Sequence, residues 1–366
     1  MSGAAAFARV VVLAVALLGT SGNAATAQAA EQVVARDARG GYLSAFGGAV
    51  AWSSYDSGTK RFRLEVRRGG RNRLLPIPGR KVPFDVDLGP GRGGGLSAVY
   101  SRCRDEGGFG PEAVPTALAV RGCDLFEYDF RSRRERRRSE TARRGFDEVL
   151  PTIWRGRIAF ARLSTTKRGY RPPRLLISTA GGAPRALRGG SRGREDRDLD
   201  EDGAAPLRLD LRGERLAFSW SLVAPDGSCL VDPRIGTSDA QELWIVGVDG
   251  GRRRRLGAGC EFDEVSGYED VSLTERGLYA TLRRRIEDGR PTEQQLVQRI
   301  SRFSLPSGRS TERDLAPVVA AVQDGASTYS LRVERSDRVT LVRERLFDPQ
   351  AQQARDSLLP GSMRRR

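Results

Sequence analysis

Three observations predict an all-β protein whose sheets are arranged radially. Short runs of alternating apolar and polar residues fill the chain, turn residues separate them, and the same unit returns at intervals. Each unit has a second strand rich in small and aromatic residues: Ala49–Trp52, Ser97–Tyr100, Ile158–Phe160, Leu216–Phe218, Leu278–Ala280 and Thr328–Ser330. Measured between Ala51, Ala98, Ala159, Ala217, Tyr279 and Tyr329, the spacings are 47, 61, 58, 62 and 50 residues. One blade of a β-propeller takes ~40–50 residues, so the longer units carry loop insertions. No such unit can bury both its faces alone, whereas stacking around an axis covers them and leaves only short edges. The expected fold is a six-bladed β-propeller of four-stranded antiparallel blades.

Unit one, Gly41–Pro76, turns at Asp56-Ser57-Gly58 into the strand RFRLEVRR. Unit two runs VPFDVDL, LSAVYSRC and, after an insertion, CDLFEYDF. Unit three is EVLPTIWRGRIAFARL followed by PRLLISTAGGAPRAL. Unit four, Pro206–Gly259, is the clearest: strand pairs flank the turns Arg212-Gly213 and Asp249-Gly250-Gly251. Unit five is YEDVSLTERGLYATLRRR and QLVQRISRFSLPSGRSTERDL. Unit six, VVAAVQDGASTYSLRVE and VTLVRERL, lacks a fourth strand before Phe347-Asp348-Pro349. The spare strand at Glu31–Ala35 is expected to supply it and close the ring.

The ends fall outside this pattern. Arg9, the apolar run Val10–Leu18 and Ala27-Gln28-Ala29 have the layout of a secretory leader, cut after Ala29. That apolar run is too short to span ~30 Å of hydrocarbon. The expected organisation is a leader over 1–29, one propeller over 30–349 and a polar tail over 350–366. A secreted or otherwise extracytoplasmic, monomeric protein without a membrane span follows.

The strings ELWIVGVDGGRRRRLG after ERLAFSW, and LLISTAGGAPRAL after RIAFAR, resemble the repeat of TolB-type, WD40-like β-propellers. The likeness covers most of the mature chain and implies the fold while leaving activity open. Two departures stand out. The family's Pro-Asp-Gly turn is replaced by Trp154-Arg155-Gly156, Leu211-Arg212-Gly213 and Glu275-Arg276-Gly277, and no catalytic domain is expected after the repeats.

Four cysteines allow three pairings. Cys103 and Cys123 bracket the second-to-third loop of unit two, while Cys229 and Cys260 flank two connections of unit four. In a meander those connections share one face, so pairings 103–123 and 229–260 stay within a blade. Any other pairing joins units two and four, beyond the ~7 Å limit for a disulfide. Each loop so closed contributes about 3–4 kcal/mol.

The net charge of +16 suggests polyanion binding, yet 59 of the 62 basic residues are arginine and they are spread over every hairpin. Specific nucleic-acid binding is not expected. The runs Arg133–Arg138, Arg252–Arg255 and Arg283–Arg285 are expected on outer strands or their turns, where charge blunts edge pairing. Trp52, Trp154, Trp220 and Trp244 are expected between blades.

Without histidine the chain cannot build Ser-His-Asp or Cys-His nucleophiles or His-ligated metal sites. Serine-lysine chemistry would need Lys60, Lys81 or Lys167, and two of these lie in hairpin loops. Carboxylate pairs remain. Asp85, Asp87, Asp210 and Asp270 fall on first strands, which line a propeller's channel, either as chemistry or as hydrogen-bond anchors to neighbouring blades. Asp198, Asp200 and Asp202, ending in Gly203, open like a calcium loop, but Pro206 and Leu209 stand where the later ligands belong.

These readings lead to an exported, non-catalytic scaffold that binds a protein or cell-envelope component through the insertions at 104–122 and 230–259. The first alternative is a carboxylate-based, glycan-active enzyme in the channel, and the second a polyanion-binding basic module. Channel acids converging within ~5–10 Å would favour the enzyme; a channel filled by apolar or arginine side chains would favour the scaffold.

Overall fold

The computed structural model describes residues 32–36, 38, 42–106, 120–164, 173–179, 181–187, 205–223, 239–260, 267–283, 297–334 and 339–347. These residues form six antiparallel blades around one axis. Blades one to four each pair their four strands in chain order, as in Leu43–Phe46, Ala49–Asp56, Arg61–Arg68 and Arg71–Leu74 of blade one. Blade two begins at Asp87–Pro90, blade three at Phe146–Trp154, blade four at Ala205–Arg212 and blade five at Gly267–Thr274.

Blades five and six share a strand. In Ser310–Asp324, residues 310–314 pair with Val297–Phe303 and residues 318–324 pair with Ser327–Val333. The sequence reads as a break there because Pro317 has no amide to donate; it stands where the strand changes partners, a place that tolerates proline. The spare strand Gln32–Ala35 pairs antiparallel with Val339–Glu344 and completes blade six, closing the ring as expected.

Burial explains the repeat. The six second-strand segments used to find it are buried along their length, because both faces pack against neighbouring blades. Among the described residues the apolar core falls into six clusters, and each chiefly fills one joint between blades. Val99, Leu125, Ile153, Phe160 and Leu176 fill the joint of blades two and three; Ala217, Leu243, Tyr268, Leu273 and Leu282 fill that of blades four and five. Trp52 is fully buried, at the joint of blades six and one.

The first-to-second strand turns are tight. Arg155 (φ 51°) and Gly156 (φ 78°) have left-handed backbones, as a two-residue hairpin with primed-turn geometry requires. At the same edge of the ring, a Cβ on Gly89 would stand 2.1 Å from the Ile153 carbonyl oxygen, so only glycine lets blades two and three meet there.

The basic runs divide. Arg134–Arg137 and Arg254–Cys260 are outermost strands, as expected. Arg136 and Arg138 bond the buried Glu127 at 2.8 and 2.5 Å, so part of that run neutralises an interior charge. Arg283 corrects the expectation: it ends a second strand, Gly277–Arg283, and not an outer one. No helix among the described residues is long and apolar enough to cross a membrane. The leader, the polar tail and Lys167 lie outside the described residues.

Candidate functional site

Side chains on the first strands line a channel along the ring axis, and the two-residue period of a strand sorts them into layers about 6.6 Å apart. The middle layer holds Ser44, Asp87, Asp210, Ser272 and Val322, which line the cavity, and Thr152 of blade three, which is bonded to Asp87 and to the Leu211 amide. Toward the first-to-second strand turns lie Phe46, Trp154 and Arg212; on the other side lie Tyr42, Asp85, Leu150, Arg208 and Asp270.

The middle layer buckles the ring. In each blade its polar side chain accepts an amide from the next blade's first strand. The Leu88 amide donates to Ser44 Oγ (2.9 Å), Ile153 to Asp87 Oδ2 (2.9 Å) and Leu211 to Thr152 Oγ1 (2.8 Å). Leu273 donates to Asp210 Oδ2, and Gln323 to Ser272 Oγ at 3.1 Å. The sixth position is Val322, which cannot accept. The joint of blades six and one is instead held one layer away, where the Gly48 amide donates to Asp324 Oδ2 at 2.7 Å.

All four sequence-predicted acids therefore anchor a neighbouring blade, and two of them, Asp85 and Asp270, are also paired with an arginine. Asp85 accepts the Leu150 and Ser101 amides at 2.8 Å each and the Ser101 hydroxyl at 2.7 Å, with Arg80 at 3.4 Å. Asp270 accepts the Ala321 amide at 3.1 Å and Arg208 Nε at 2.7 Å. Burial raises its pKa and the Arg208 charge opposes the rise. Arg208 in turn lies over the Tyr42 ring, 3.6 Å from its centre, and burial pushes the Tyr42 phenol up to about 12. Tyr42, Asp85, Leu150 and Asp270 are buried, so this end of the channel is its closed floor.

Asp87 and Asp210 differ. Each is surrounded by protein yet keeps part of its surface open to the channel. Neither forms an ion pair among the described residues. Asp87 receives the Ser44 and Thr152 hydroxyls (2.8 Å each) besides the Ile153 amide. Burial pushes Asp87 up to about 6. Burial and the nearby charge of Asp87 push Asp210 up to about 8. Two carboxyls in one low-dielectric space do not both ionise readily, and they share a proton near neutrality.

The cavity beside them measures about 50 Å³, counted as space open to the centres of water molecules. One water needs ~10–15 Å³ on that measure, so several fit. At the open end, Arg212 lies over Trp154 at 5.1 Å and Phe46 at 5.7 Å, and those rings meet edge to face. Trp154 packs against the core between blades three and four, as expected, and its ring also lines the channel.

Cys103 and Cys123 form a disulfide, as expected. The pairing of Cys229 with Cys260 and the acidic loop Asp198, Asp200 and Asp202 lie outside the described residues. The described residues contain no group of three or more metal-ligating side chains.

No protein-family model matches the chain, and no curated protein matches it in sequence. Solved structures match it in fold at low identity. Oligogalacturonate lyase from Vibrio parahaemolyticus is 10% identical, with a TM-score of 0.42 over 82% of this chain and 74% of that one. Puromycin hydrolase is 16% identical, with a TM-score of 0.46 over 87% of this chain. The chain spans 52% of that protein's length. The β-propeller domain of the Trilobed protease from Pyrococcus furiosus is 13% identical, with a TM-score of 0.44 over 82% of this chain and 81% of that domain.

The expectation of a non-catalytic scaffold is corrected here. The channel is filled by neither apolar groups nor arginines at its middle; it brings two unpaired acids together there. Arginines occupy the layers to either side. The likenesses reach no further than the fold, so the chemistry rests on the channel.

Proposed function

We propose that the channel is the active site of a carboxylate-dependent enzyme that cleaves a glycan linkage by general acid–base chemistry. The observation that carries this reading is the middle layer, where Asp87 and Asp210 face the same cavity with pKa values pushed to either side of neutrality. Around pH 7 Asp210 holds its proton and Asp87 is ionised. Asp210 protonates the departing glycosidic oxygen as its bond to the sugar breaks. Asp87 takes a proton from the attacking water, whose oxygen bonds to the sugar carbon. The proton then returns to Asp210, leaving one water consumed per bond. Ser44 and Thr152 hold Asp87 in place, and the Leu273 amide holds Asp210.

Two finer assignments accompany this reading. The hairpin repeat of blades three and four supports grouping the chain with TolB-like, WD40-like propellers. The Cys103–Cys123 disulfide and the leader-like N-terminus support a place outside the cytoplasm.

The test is a panel of neutral and acidic polysaccharides incubated with the wild-type protein and with D87N and D210N, scored by new reducing ends. The expected result is cleavage by wild type that each variant loses. Cleavage at the wild-type rate by either variant, or no cleavage anywhere in the panel, overturns the proposal.

A further inference from the structure

The mouth of the channel holds a cation whose charge the protein leaves largely uncompensated. Arg208, one layer below the acids, is matched by the buried Asp270 at 2.7 Å. Arg212, one layer above them, is tied to the Leu273 carbonyl at 3.2 Å and to Glu275 Oε1 at 3.4 Å. Glu275 is 89% exposed, so water screens that pair and it contributes little. Phe46 and Trp154 hold the guanidinium in position by their ring faces. Its own side chain is 22% exposed, and it lines the cavity that Asp210 lines. Arg212 lies two residues along the same strand from Asp210, about 6.6 Å away along the axis. That is close to the width of one hexose ring.

From this placement we infer that Arg212 binds the carboxylate of an acidic sugar while the ring's linkage faces Asp210, so that the substrate is a uronate-containing glycan. The inference rests on the channel being the active site, and it specifies what that site selects. A planar guanidinium gripped by two rings loses little freedom on binding and can offer two parallel N–H groups to a carboxylate. Asp87, ionised in the layer below, repels a second carboxylate and so sets the orientation: acid group outward, linkage inward.

The test uses the D210N protein, so that binding is read without turnover. Glucuronate and glucose differ at one carbon and are titrated side by side by calorimetry, with the emission of Trp154 (identified by W154F) as a second signal. Glucuronate is expected to bind about ten- to a hundredfold tighter than glucose, the worth of a charge-assisted hydrogen bond. Adding R212Q removes that preference, bringing glucuronate down to the level of glucose, while R212K retains part of it. Equal binding of both sugars, no binding of either, or a preference that survives R212Q overturns the inference. The two proposals separate cleanly. A glucuronate preference in a protein that cleaves no glycan removes the enzyme reading alone. Cleavage of neutral glycans at a rate R212Q does not change removes the uronate subsite alone.

Discussion

Asp270 and Asp210 belong to the same kind of strand and perform the same structural task, accepting an amide from the next blade. They differ in what else surrounds them. Asp270, with Asp85, lies on the floor of the channel, buried against a guanidinium. Asp210, with Asp87, lies one layer up, open to the cavity and without an ion-pair partner. A buried ion pair fixes a charge in place and makes it chemically inert. A pair of acids that must share a proton remains poised to give and take one. In this ring the difference between structure and chemistry is a step of two residues along a strand.

The largest effect that sharpens this comparison is on turnover. D87N and D210N each keep the oxygen that accepts the neighbouring amide, and each is expected to slow glycan cleavage by about 10²–10⁴-fold, the worth of a general acid or base. Their melting temperatures should stay near that of wild type. The floor predicts the reverse. D85A removes the acceptor of two buried amides and the carboxylate beside Arg80, and D270A removes the acceptor of the Ala321 amide and the carboxylate beside Arg208, so each should cost about 3–5 kcal/mol in chemical denaturation. A floor variant that melts like wild type but loses turnover would break the comparison.

Smaller effects separate the two acids from each other. T152V keeps the shape of Thr152 but withdraws the hydroxyl from Asp87 and the acceptor from the Leu211 amide. It should cost about 1–3 kcal/mol in stability. The acid limb of the pH–rate profile, set by Asp87 at about 6 in wild type, should move upward, while the alkaline limb near 8 stays with Asp210. Stability gives the last contrast. The folded pKa of Asp210 is raised far above its ordinary 3.8, so its contribution is fully present below that value and is lost as pH rises through about 8. Wild type should therefore melt several degrees lower at pH 9 than at pH 5 relative to D210N, as differential scanning calorimetry would record.

Much of this was legible in the chain. Turn residues and two-residue alternation locate the strands, and the buried second strands locate the blades. Asp85, Asp87, Asp210 and Asp270 are recognisable because acids on first strands point at a propeller's axis. What separates them is not local. Arg208 reaches Asp270 across 62 residues, and Arg80, though only five residues from Asp85, lies in the connection between blades one and two and outside any strand pattern. Alignment on second strands also hides the channel layers. Alignment on first strands would have put Ser44, Asp87, Thr152, Asp210, Ser272 and Val322 in one column. Two positions along, it would have placed Trp154, Phe46 and Arg212 together. Their closeness comes from ring closure, which a periodic pattern implies and does not display.

The central claim is that Asp87 and Asp210 share a proton near neutral pH. Difference infrared spectroscopy of the carboxyl stretch, taken across a pH series on wild type, D87N and D210N, tests it directly. The account predicts a protonated carboxyl that persists past pH 7, disappears from the D210N spectrum, and titrates lower in D87N once the repelling charge is gone. If every carboxyl in wild type has ionised by pH 5 and D87N leaves the titration unchanged, the channel acids are anchors and nothing more.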